Sequence, residues 1–171
     1  MTEQPGRSHG TVRVDHHMFY LLDEGAASQP PSPPANGLVG SEPGIAIIFT
    51  GASSGHVTVT IEARLAAPEG VDLAGWDEVI DHSFHATGGH LRVTVFEGGQ
   101  PGMPPLTVAG PGVYRIRVHA RGRDTAPDAV AFTPIENYLI VAWPEPFSAD
   151  TAHQTQDAYG AQLRAAAPRS E

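Results

Sequence analysis

The sequence predicts an all-β chain: a single-domain antiparallel β-sandwich or distorted barrel of about eight strands, with a short helix allowed only near the C-terminus. Three observations carry this. Apolar and polar residues alternate with a period of two in His56–Leu65 and Val113–Arg121. Turn residues punctuate the chain at short intervals, with 19 glycines and 16 prolines among 171 residues. No long stretch repeats with the helical period of 3.6. The length suits one domain with a full core, and 40% hydrophobic content is ordinary for a globular protein.

Residues 1–9 are polar and are expected to form a flexible N-terminus; the β domain is expected over 10–147. Thr11–Leu22 reads as one strand, with Val12, Val14, His16, Met18 and Tyr20 on one face and Phe19 and Leu21 on the other. On that reading the adjacent His16 and His17 point to opposite faces. Residues 26–36, AASQPPSPPAN, hold four prolines, too many for a helix or a sheet ladder. They read as an exposed, extended loop. Ile45–Thr50 is a short apolar strand, and Gly51–Gly55 is expected to be a hairpin loop. In the next strand Val57, Val59, Ile61, Ala63 and Leu65 should point inward.

Residues 68–75 form an acidic connection. Glu78–Phe84 suits a strand better than a helical turn. The Gly88-Gly89 pair before Leu91–Phe96 favours a hairpin. Gly98–Pro105 reads as a loop, Leu106–Val108 as a short strand and Gly122–Pro134 as a loop. Tyr138–Trp143, YLIVAW, is apolar on both faces, which marks a central strand covered on both sides; Pro144 and Pro146 stop it. Residues 148–171 are expected to be a helical or disordered tail, with Asp150 capping a short helix that Pro168 ends. Val57, Val59, Ile61, Ile116, Val118, Ile140 and Trp143 are the expected core.

Composition excludes several chemistries. Without cysteine there is no disulfide, thiolate zinc site or Cys nucleophile. A formal net charge of −9 repels nucleic-acid phosphates, so direct nucleic-acid binding is not expected. No apolar run of about 18 residues suggests a membrane span, and no signal-peptide pattern opens the chain, so a cytoplasmic location is the default. All ten basic residues are arginine, and the composition resembles that of GC-rich, actinobacterial-type genomes. The nine histidines lack ligand spacing, so neither a metal nor a cofactor is expected. Gly51-Ala-Ser-Ser-Gly55 matches G-x-S-x-G, but no strand-to-helix elbow surrounds Ser53. Adjacent carboxylates such as Asp77-Glu78 seldom converge on one substrate. No catalytic residue is expected.

Two segments stand out as working surfaces. Glu69, Asp72, Asp77, Glu78 and Asp81 fall within 13 residues that hold no base. With Trp76 as an aromatic anchor they suit recognition of a basic protein. In GVYRIRVHARGRD, Arg115, Arg117, His119 and Arg121 alternate with the apolar face of a strand. Guanidiniums in such a row suit an anionic ligand. The first set is the expected protein-binding site and the second the alternative anion-binding site.

The order of features carries a family resemblance. VDHHMFYLLDEG opens it. GIAIIFTGASSGHVTVTIEARL, WDEVIDHSFHATGGHLRVTVFE, LTVAGPGVYRIRVHARGRD and NYLIVAWPEP follow. Over Val12–Pro146 the chain resembles the competence-protein J family, the DNA-entry nuclease inhibitors, and its actinobacterial relatives. The Pro-rich segment and the tail after Pro146 depart from the family pattern. The resemblance implies a compact β fold that binds and silences a partner protein, and it transfers no particular contact residue. The expected function is that of a protein-binding module of inhibitor or immunity type, not an enzyme. The alternative is a small-ligand-binding protein or enzyme with a His/Arg-lined cleft.

Overall fold

Two consecutive histidines decide how the chain starts. His16 and His17 both have positive φ, 51° and 63°, and Asp15 pairs with Met18 across them. This is a two-residue turn with the handedness that hairpins favour. The expected single strand is therefore two, β1 (Arg7–Asp15) and β2 (Met18–Leu22). His16 and His17 are turn residues and do not face opposite sides of one strand. The computed structural model describes residues 7–23, 34–95, 98–99 and 103–167. β1 begins at Arg7, so residues 7–9 belong to the sheet, where they pair with Glu62, Ile61 and Thr60.

The other elements are β3 (Val39–Glu42), β4 (Ile45–Phe49), β5 (Ser54–Ala63), β6 (Glu78–Ala86), β7 (Arg92–Val95), β8 (Gly98–Gly99), β9 (Gly112–Arg121), β10 (Val130–Ala131), β11 (Asn137–Pro144), β12 (Thr151–Thr155) and α1 (Ala158–Ala166). The fold is all-β with one short C-terminal helix, as the periodicity predicts. The described residues hold twelve strands in one sheet, ordered β12-β6-β9-β11-β5-β1-β2-β4-β3. β10 pairs with β5, and the β7–β8 pair lies beside β2. The sheet curls into a half-barrel, so the distorted-barrel expectation describes it better than two stacked sheets. It is also mixed: β10 and β11 both run parallel to β5.

Several local expectations change for one reason, that sequence neighbours are not always sheet neighbours. β4 and β5 are separated by β2 and β1, so Gly51–Gly55 is a crossover and not a hairpin. β6 and β7 do not pair, so Gly88-Gly89 is no hairpin either; β7 pairs with β2. Leu106–Val108 is a turn region and not a strand. β3, which lacks strand-forming residues beyond Val39, forms a hairpin with β4 through Pro43-Gly44, with Gly44 at φ 84°. Leu65 lies beyond the end of β5 and is 73% exposed. Of the Pro-rich segment, residues 24–33 lie outside the described residues; Pro34 is buried and Asn36 half-buried.

The core lies inside the curl. Val57, Val59, Ile61, Ile116, Val118 and Ile140 are buried there together, beside Phe19, Phe84 and Tyr138. Trp143 is buried too. The segment after Pro146 is part of the same sheet. β12 pairs antiparallel with β6, and Asp157 caps α1 by accepting from Gly160 N at 2.7 Å. Asp150 is not the cap.

Candidate protein-binding surface and the charges beneath it

β9 lies between β6 and β11, so its apolar residues Tyr114, Ile116, Val118 and Ala120 face the core. The opposite face is also covered. Arg115, Arg117 and His119 are 4%, 7% and 3% exposed, and only Arg121 of the row reaches solvent.

Each buried cation has committed partners. Arg115 Nη1 donates to Ser83 Oγ at 2.9 Å and to the Ser148 carbonyl at 3.0 Å. Its Nη2 donates to the Ala149 carbonyl at 2.8 Å and Thr151 Oγ1 at 3.1 Å. Arg117 grips Asp81 bidentately, at 2.7 and 2.9 Å, and donates to the Gly70 carbonyl at 3.2 Å. Its guanidinium also lies 5.1 Å from the Trp143 ring centre. His119 Nδ1 meets the Leu139 carbonyl at 3.0 Å. Because a carbonyl only accepts, that nitrogen carries the proton. Burial, reinforced by Arg117, holds the His119 pKa below its ordinary value against that hydrogen bond.

The acidic connection supplies the cover. Trp76 packs against the His119 ring at 5.2 Å, and Arg121 lies 4.7 Å over the Trp76 ring. Asp77 accepts from Gly122 N at 3.0 Å. Burial would raise the Asp81 pKa, but Arg117 and His153 outweigh it and hold the carboxyl below the usual Asp value. The two expected surfaces therefore meet: Asp81 on β6 is the cross-strand partner of Arg117 on β9, and Trp76 covers His119.

Glu78 is withdrawn further and serves a second buried cluster. Arg123, fully buried, donates bidentately to Asp157 at 2.7 and 2.9 Å. It also reaches the carbonyls of Gly37 and Phe49, at 3.0 and 3.2 Å, and stacks on Tyr159. Glu78 lies 3.7 Å from Arg123 and accepts from Arg164 at 2.9 Å. It also accepts from the backbone N–H groups of Gln156 and Asp157. Burial first, then the Asp157 charge, raise its pKa. This cluster ties α1 to the sheet.

At the surface remain Glu69 and Asp72, both exposed, the half-buried Trp76 and Asp77, and Arg121. Together they form a partly acidic patch with an aromatic centre. Glu78 and Asp81 do not reach it.

Ser53 donates to the Ala129 carbonyl at 3.2 Å, in a crossover that no helix follows. The serine that meets a histidine is Ser41, whose Oγ lies 2.5 Å from His82 Nε2. His82 Nδ1 lies 2.8 Å from Asp150 Oδ1. No spacing signal reveals this trio, because its members are 41 and 68 residues apart. Among the described residues, no group of three or more His, Asp and Glu side chains is placed to hold a metal ion.

No family model and no curated protein matches the sequence. Among solved structures the chain is similar to the protein titled crocagin biosynthetic gene J, with a TM-score of 0.52 and 14% identity. That match covers 82% of this chain and 98% of the other. It is also similar to ComJ of Bacillus subtilis, titled an inhibitor of the DNA-degrading activity of NucA. There the TM-score is 0.51 and the identity 10%, over 81% of this chain and 96% of ComJ. At these identities the likeness is one of fold, and the resemblance to competence-protein J holds at that level.

Proposed function

We propose that this chain is a protein-binding module of inhibitor type that silences a partner such as a nuclease, and that it works in the cytoplasm. The observation that carries the reading is the shared fold with ComJ along nearly the whole of that inhibitor. Fold alone does not dictate function, so the surface must supply the rest. The patch of Glu69, Asp72, Trp76 and Asp77 supports a basic partner. Nucleases that grip phosphate present basic clefts, and exposed acids steer such a surface into place. The net charge of −9 acts in the same direction. The alternative His/Arg-lined cleft finds less support, because Arg115 and Arg117 spend their donors inside the protein. Among the described residues no helix is long and apolar enough to cross a membrane.

The test is a DNA-degradation assay with nucleases encoded in the same genome, titrated with the purified chain. Stoichiometric inhibition of one of them is expected. Combining Glu69→Gln with Asp72→Asn should slow association with that nuclease. Full activity of every nuclease at saturating protein would defeat the proposal.

A further inference from the structure

The curl of the sheet brings β3, at one end of the strand order, against β6, near the other. At this seam stand Ser41 on β3, His82 on β6 and Asp150 just before β12. The carboxylate only accepts, so His82 Nδ1 carries a proton and donates it to Asp150 Oδ1 at 2.8 Å. In the neutral ring Nε2 is then the acceptor, and the Ser41 hydroxyl donates to it at 2.5 Å. The imidazole is half-buried, with 15% side-chain exposure, and so is Ser41.

The trio is itself held in place. Asn36 Nδ2 donates to the other Asp150 oxygen at 2.8 Å, and to the Val39 carbonyl at 2.8 Å. Asn36 Oδ1 accepts from Leu38 N and Val39 N, both at 2.9 Å, and so sets the entry of β3. Arg115 clamps the Ser148 and Ala149 carbonyls, which fixes the segment carrying Asp150. Asp150 stays below the usual Asp pKa because the His82 and Asn36 bonds outweigh its burial. The backbone adds one more group. Phe49 N bonds to the Leu38 carbonyl, and Ser41 is three places further along the same ladder. Alternation of bonded and non-bonded pairs then turns the Ser41 N–H away from β4, to the open edge.

We propose that Ser41, His82 and Asp150 form an acyl-transfer site, with Ser41 as nucleophile, His82 as general base and Asp150 as the residue that positions His82. Such constellations are identified by geometry and role, whatever the fold or chain order. The substrate class is a carboxylic ester. Ser41 Oγ attacks the carbonyl carbon while its proton passes to His82 Nε2. The ester C–O bond breaks, and the leaving alcohol takes that proton from His82. Water then attacks the acyl-serine with His82 again as base, which releases the acid and restores the hydroxyl. The Ser41 N–H, turned away from β4, is the donor assigned to the developing oxyanion. Ser41 and His82 are the catalytic residues; Asp150, Asn36 and Arg115 are positioning residues. This site is separate from the patch at Trp76, and the inference does not rest on the inhibitor reading.

The experiment uses the intact chain with a fluorophosphonate probe and peptide mapping by mass spectrometry. In this reaction the Ser41 O–P bond forms, fluoride leaves and the proton passes to His82. A single phosphonyl group on Ser41 is expected. His82→Ala should slow labelling by about 100-fold or more. Asp150→Asn should also slow it, and Asp150→Glu should recover part of the rate. No labelling of the wild-type chain, or labelling at Ser41 that ignores His82, would show a mere seam clasp and overturn the proposal. Should His82→Ala fail to fold, Ser41→Cys carries the test. Iodoacetamide should alkylate that thiol at least about tenfold faster at pH 7 than free cysteine, because a paired His makes a thiolate. A rate equal to that of free cysteine would overturn the proposal as well.

Discussion

Arg117 and Asp81 meet beneath Trp143 in a site where both are nearly dry. Removing one partner leaves the other charge buried and unpaired, which costs about 3–5 kcal/mol. Asp81→Ala should therefore lower unfolding stability by that amount. The Arg117→Met, Asp81→Leu pair should lose less, because neither member of that ion pair is left alone and only His153 gives up its contact with Asp81. Denaturant melts of the three proteins check this. The pKa directions predict how stability changes with acidity. Asp23, Asp81 and Asp150 are held below the ordinary Asp value of 3.8, each because donated hydrogen bonds outweigh burial. Their stabilisation is present above that value and is lost as pH falls through the lower folded values. His119 lies below the ordinary 6.5, with burial the main cause. It prefers to stay neutral, so its contribution starts to fade once pH drops below 6.5. Glu78 is raised above 4.5 and acts with the opposite sign, stabilising most at low pH. Urea midpoints measured from pH 7 down to 3 should fall, first gently and then steeply below about 4. A midpoint that rose on acidification would contradict these assignments. His16 offers a change in the other direction. Its φ of 51° lies in the left-handed region, so His16→Gly should stabilise by roughly 0.5–1 kcal/mol.

Among the elements, α1 and β12 depend most on their surroundings. α1 has nine residues, too few to persist alone. It is kept by the buried Arg123–Asp157 pair, by Arg164 on Glu78 and by its Asp157 cap. Ala is normally the better helix former, but Gly160 reverses this. A Cβ there would meet Asp157 Oδ1 and Glu78 Oε1 at 2.6 Å and Arg123 Nη2 at 2.8 Å. Gly160→Ala should cost about 1–3 kcal/mol, as overpacking does, and thermal melts will read it. Truncation after Phe147 removes β12, α1 and Asp157 together. It would strip Arg123, Arg115 and Glu78 of the partners that residues 148–164 supply. The shortened chain should fail to give soluble, folded protein, as far-UV circular dichroism and solubility would report. A stable, β-rich product would show that the tail is dispensable.

For the whole molecule, the net charge of −9 understates how the charges are used. The strongest pairs are internal and face no partner. The acids left outside set the far field, and a field of this kind changes association rates more than affinity. Association with a basic partner should slow as ionic strength rises, because screening acts over about 8–10 Å near physiological salt. Combining Glu69→Gln with Asp72→Asn should flatten that dependence and slow association, with little change in dissociation. Stopped-flow measurements at several salt concentrations separate the two rates. Arg121→Ala tests the same face from the opposite sign and should slow association little.

Local sequence determined the strands themselves. Period-two alternation in β5 and β9, and the doubly apolar YLIVAW of β11, are consequences of side chains pointing alternately to the two faces of a pleated chain. They place Val57, Val59, Ile61, Ile116, Val118 and Ile140 in the core without further information. Composition alone ruled out thiol chemistry. Tertiary structure decided which strands are neighbours, because pairing depends on contacts between distant segments that periodicity does not encode. So Gly51–Gly55 reads as a hairpin and is a crossover, and β11 lies parallel to β5. It also decided the fate of the arginines. An alternating polar face announces only that it is not in the apolar core. Here residues 70–77 and 148–150 cover that face, Asp81 on the neighbouring β6 grips Arg117, and Arg115 and Arg117 become internal ties. The acidic connection, Glu78 and Asp81 above all, loses its exposed charge for the same reason. The meeting of Ser41, His82 and Asp150 exists only once the sheet has curled far enough to bring β3 to β6.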